Sequence, residues 1–182
     1  MPNTSPAPSR QQWIVLSALV LVAALSRLLP NPPNFSPIEA ISLFAGAWLG
    51  SRWLAMLVPM AAMLISDAFI GFHSGMPVVY AAMAVIALAA HFGLRRRVSV
   101  GRVAFFGIAG ATFFFIVTNF AVWLGSGMYP ATWAGLVACY VAAIPFFHNQ
   151  LAGVLVYSTL LFGAWALIAR RWPDLASARQ AA

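Results

Sequence analysis

The chain of 182 residues carries only three acidic side chains, and one of them, Asp67, stands near the end of an apolar run that begins at Trp53. In the stretch LISDAFIGFHSGM it is followed by His73, so a carboxylate and an imidazole that can accept a proton or a metal lie near the same end of a hydrophobic segment. Met56, Met60, Met63 and Asp67 recur at i, i+4, i+7 and i+11, one stripe of a helix face. The next apolar run repeats the pattern with Met76, Tyr80 and Met83. Methionine is flexible and polarizable, so such stripes either fill a helix contact or mould to a bulky, partly apolar ligand. Packing suffices for the methionines alone; the Asp at the end of the stripe points to a pocket.

Other candidates fall near the same end of their segments. Phe115, Asn119 and Trp123 share one helix face, where the Asn119 amide serves as a pocket wall or as a strut between helices. Tyr129 and His148 lie at segment ends. The candidate binding set is therefore Asp67, His73, Tyr80, Asn119, Met63, Met83, Tyr129 and His148, with Arg27 as an ion-pair partner for Asp67. Glu39 has a sufficient local explanation as the third helical residue, N3, of the capping box SPIE. His91 precedes an arginine run and reads as a solvated boundary residue. Two His and one Asp without close spacing give no metal motif, and the lone Cys139 has no intrachain partner.

The elements that position these residues follow from composition. The chain is 63% hydrophobic and 7% charged, with a mean hydropathy of +0.89, which reads as an integral membrane protein. All ten basic residues are Arg, and the net charge is +7; they sit at the ends of apolar runs, as topology signals do, and form no nucleic-acid patch. Six runs approach the roughly 20 residues that a bilayer requires: residues 13–29, 37–50, 53–71, 77–94, 103–125 and 149–169. The segment 131–144, apolar and ending at Pro145, is expected as a short re-entrant or interfacial helix.

With both termini cytoplasmic, Arg10, Arg52, Arg95 to Arg97, Arg102, Arg170 and Arg171 all fall inside. The expected fold is thus all-α and polytopic: a tail at 1–12, disordered; one six-helix domain at 13–170; and a cytoplasmic tail at 171–182. The rival reading of the first run, a signal peptide with a small-x-small site at Ala24 to Ser26, is weaker because the apolar run continues through Leu29.

The run PNFSPIEAISLFAGAWLGSRWLAMLVPMAAMLISDAFIG resembles the N-terminal half of S-components of energy-coupling factor (ECF) transporters: an extended loop, a short helix rich in small residues, a basic turn, and a helix reaching an Asp. The resemblance implies a bacterial cytoplasmic-membrane subunit that captures one vitamin at the outer face, with the loop from Pro30 to Pro37 as a lid. Size, Asp67 and an aromatic residue on the following helix are similar to BtuM-type cobalamin S-components, so cobalamin is the first expectation for the transported ligand. Two features depart from that pattern. Val79 and Tyr80 stand where the BtuM type has a cobalt-ligating cysteine, leaving His73 or His148 for that role. The alanine pair that docks S-components on their ATP-driven coupling module is missing from the first helix.

The expected function is therefore a substrate-binding uptake protein, with a lipid bilayer, a vitamin-like ligand and an ATP-driven module as partners and no cofactor of its own. No nucleotide-binding motif is present. The alternative is a small membrane scaffold or assembly protein whose polar outer cap binds another protein. An enzyme is disfavoured, because Ser66 beside Asp67 has no base on the same face.

Overall fold

The computed structural model describes residues 10–173. They form six helices and, among the described residues, no strand: α1 Arg10–Ser26, α2 Ile38–Trp48, α3 Arg52–Ile70, α4 Met76–Leu94, α5 Val100–Gly125 and α6 Trp133–Arg171. Four of them, α3 to α6, are long and apolar enough to cross a membrane, while α1 and α2 are shorter apolar helices. The outward faces are apolar, as at Phe69, Val100, Leu155 and Leu167, which is what a lipid solvent selects. Of the expected tails, residues 10–12 belong to α1 and Arg171 to α6; residues 1–9 and 174–182 lie outside the described residues.

Helix α2 is the centre of the bundle. Ten of its eleven residues are buried, and it packs against all five other helices. Its apolar sequence leaves no polar face for solvent, so it is stable only inside a ring of partners. At 11 residues it is about 16 Å long, about half of a bilayer core. It therefore does not span as the run 37–50 was expected to. Glycines let its neighbours approach: a Cβ on Gly46 would stand 2.7 Å from the backbone N of His91 on α4, and one on Gly107 of α5 would stand 2.8 Å from Val154 of α6. Phe44, Trp48, Phe162 and Trp165 form an aromatic cluster between α2 and α6, with Trp48 and Trp165 ring centroids 4.9 Å apart. Helix α1 is set more loosely and leaves an apolar cleft of about 320 Å³ against α2 and α3.

Three local expectations change. The boundary expected at Pro145 is absent: residues 133–171 run as one helix, about 58 Å long by its rise. Proline removes one backbone donor, and α5 holds the helix on both sides of it, through Tyr140 donating to the Ile116 carbonyl at 2.7 Å and Phe115 against Phe147 at 4.8 Å. The capping box does not form either. Pro37, expected at the first helical position, is the N-cap residue and supplies no side-chain cap. His91, expected at the solvated boundary, is 4% exposed, because α4 turns that face to Gly46 of α2.

Gly46→Val should therefore lower the melting temperature of the detergent-solubilised protein, at a cost of about 1 to 3 kcal/mol for overpacking against backbone. Gly50→Val should leave it unchanged, since a Cβ there meets open space.

Candidate functional site

Helix α3 ends at Gly71, whose φ of 114° only glycine adopts easily. This stop leaves Asp67 in the last turn, at the height where α1 ends and α4 begins. Arg27, just beyond α1, donates from Nη1 to Asp67 Oδ1 at 2.5 Å, to Ser66 Oγ at 2.5 Å and to the Met63 carbonyl at 3.3 Å. Tyr80 of α4 donates its hydroxyl to Asp67 Oδ2 at 2.8 Å. Both carboxylate oxygens thus have partners, and the Asp67 side chain is only 3% exposed against 21% for Arg27. The cluster ties α1, α3 and α4 together, and its charges compensate each other locally.

The remaining expected residues divide differently. Met63 and Met83 are buried in the hydrophobic core. Asn119 donates to the Phe115 carbonyl of its own helix at 2.7 Å, and its backbone carbonyl accepts from Cys139, so it serves the α5–α6 contact. Tyr129 is half-buried in the connection between α5 and α6, while His73 and His148 are exposed. No hydrogen bond among the described residues links Asn119, Tyr129, His73 or His148 to the Asp67 cluster. Nor, among the described residues, do three of His, Cys, Asp and Glu gather where a metal would bind.

A second buried cluster was not legible in the sequence. Glu39, the second residue of α2, is 2% exposed. Its Oε2 accepts from Gln150 Nε2 of α6 at 2.8 Å. Its Oε1 is buried without a hydrogen-bond partner among the described residues, and it faces Gly110 of α5, where a Cβ would come within 2.7 Å. The segment before α2 closes over the middle of α6. Asn149 donates to the Pro33 carbonyl at 3.0 Å, Phe35 packs on Tyr157 at 5.6 Å, and a Cβ on Gly153 would touch the Ser36 backbone at 3.0 Å. Asn34 takes a positive φ of 64° at the turn of this loop, a conformation that Asn tolerates better than most residues. The signal that could have found Glu39 is the scarcity of acids: both acidic residues among the described ones are buried, at 2% each, where only a partner or a function retains them.

Chemically the two clusters differ. Asp67 is saturated by Arg27 and Tyr80, whereas Glu39 has one oxygen left to accept a hydrogen bond or a positive charge. A family model covers residues 8–175. The chain belongs to DUF6580, a family of unknown function. No curated protein and no solved structure matches it. The reading of this DUF6580 member therefore rests on its own residues.

Removing either partner of the Arg27–Asp67 pair strands the other in a largely buried setting. Arg27→Gln and Asp67→Asn should each lower stability by about 3 kcal/mol. The double variant should lose distinctly less than their sum. Equilibrium unfolding of the four proteins in one detergent measures both terms.

Proposed function

We propose that this chain is a solute-binding membrane protein, which captures a small molecule at the arginine-poor end of its bundle for uptake across a bacterial cytoplasmic membrane. The observation that carries the reading is the half-satisfied carboxylate of Glu39. A buried acid with an open acceptor is expensive unless something completes it, and a ligand N–H, O–H or cationic group arriving at Oε1 would do so. Gly110 and Gln150 would shape and orient the acceptor, and the Pro30 to Pro37 loop, pinned to α6 by Asn149 and Phe35, would form the cover.

In this reading the arginine-rich end faces the cytoplasm, and the six helices act as one membrane domain with α2 enclosed. The narrower proposal, an ECF-type S-component for a vitamin such as cobalamin, rests on the resemblance of residues 30–71. Asp67 and Tyr80 would contact such a ligand only by exchanging a bond they already make. That internal saturation also favours the second reading, a scaffold whose Arg27–Asp67 end supports a partner protein.

A thermal-shift panel of vitamins, amines and metal cations against the purified protein separates the two. Solute binding predicts that at least one compound raises the melting temperature, and that Glu39→Gln, which keeps size and can still bond Gln150, abolishes the shift while leaving the unliganded melting temperature within a few degrees. If no compound stabilises the wild type, or the shift survives Glu39→Gln, the proposal fails.

A further inference from the structure

From the level of Ile108 and Leu151, close to the Gly110 and Gln150 that meet Glu39, toward the arginine-rich end, helices α5 and α6 part and leave a groove of about 860 Å³, within the range of roughly 300 to 1,000 Å³ typical of ligand sites. Its walls are apolar, among them Val103, Ile108, Leu151, Leu155 and Phe162. Several lining residues are well exposed, with Val100 at 89%, Leu155 at 70% and Ile108 at 59%, so the groove opens sideways, where the hydrocarbon of a bilayer would stand. Its last residue on α6 is Ala169, next to Arg170 and Arg171, and Arg96 and Ser99 line the same end. Arg102 is occupied by the Gly93 carbonyl. Arg96, in contrast, is exposed, and both acids among the described residues are committed elsewhere, to Gln150 and to Arg27.

Two lining side chains are polar and more than nine-tenths buried. Ser158 is 8% exposed and Trp165 is 3% exposed, and neither Ser158 Oγ nor Trp165 Nε1 has a hydrogen-bond partner among the described residues. Trp165 lies four residues from Ala169, about 6 Å along the axis. That places the Trp165 indole, whose buried N–H has no partner among the described residues, about one turn below the charged end, at the depth of the ester group of a lipid whose phosphate meets arginine. The rest of the groove matches an acyl chain.

We infer that this groove is a binding site for one anionic phospholipid, its phosphate at Arg96 beside the N-terminus of α5, its ester region at Trp165 and one chain between α5 and α6. Basic openings between membrane helices select anionic lipid because each nearby arginine adds attraction that zwitterionic headgroups lack. The headgroup end of the site is separate from Glu39, since Trp48, the α2 residue that lines it, lies nine residues, about 14 Å, along α2 from Glu39; only the inner end of the groove, at Ile108 and Leu151, comes close to the Gly110 and Gln150 that meet Glu39.

The full chain in detergent, stripped of lipid and titrated with dioleoyl phosphatidylglycerol or dioleoyl phosphatidylcholine, tests this by native mass spectrometry. The wild type should hold phosphatidylglycerol about five-fold more tightly than phosphatidylcholine, and Arg96→Ala should bring the two to equal affinity. Gly163→Leu places a side chain where a Cβ meets open space in the groove. It should weaken both lipids several-fold without changing charge, whereas Gly125→Leu, equally open at the far end of α5, should change neither. Equal binding of the two lipids by the wild type, or unchanged binding by Gly163→Leu, would overturn the inference. So would a Gly163→Leu variant that turns a dimer into a monomer with lipid binding intact, because the groove would then be a contact between copies of the chain.

Discussion

Everything in this bundle is arranged around the burial of one short helix. Helix α2 is too short to cross a bilayer and too apolar to face water, so the other five must enclose it. That enclosure requires close approach, which the glycines at 46, 107, 110 and 153 provide on three helices, α2, α5 and α6. In a lipid solvent no hydrophobic force drives helices together, and tight packing between small residues supplies much of the attraction instead. The aromatic cluster of Phe44, Trp48, Phe162 and Trp165 fills the wider space at the arginine-rich end.

Against that apolar centre the two acids have opposite roles. Asp67 joins three helices at their ends, and its oxygens are consumed by an arginine and a tyrosine. Such a pair adds little net stability over apolar packing but is costly to break, so it fixes how α1, α3 and α4 meet. Glu39 sits on the enclosed helix itself and is held by a single amide. The same fold therefore contains a saturated polar junction and an unsaturated one, and only the second retains acceptor capacity for a molecule from outside.

The sequence showed the parts of this that depend on local pattern. Runs of apolar residues bounded by Arg, Gly and Pro located α3, α4 and α5 to within a few residues, and the scarcity of charge singled out the Arg27–Asp67 pair, with Tyr80 on the adjoining helix. What it hid depends on contacts distant in the chain. Glu39 and Gln150 are 111 positions apart, and the Ser36 to Glu39 motif offered a local explanation that the backbone does not use. Pro145 read as an end because its missing donor is local information, whereas the contacts of Phe147 and Tyr140 with α5 that carry α6 through it are not. His91 read as solvated from its arginine neighbours, but the helix turns it toward Gly46.

The most direct test of the account is the small-molecule content of the protein itself. Wild type and Glu39→Gln, extracted from the same host membranes and matched for monodispersity, would be denatured and the released compounds identified by mass spectrometry. The account predicts one compound near equimolar with the wild type, carrying a hydrogen-bond donor or positive charge and missing from the variant. Identical contents in the two proteins, or no compound in either, would contradict it.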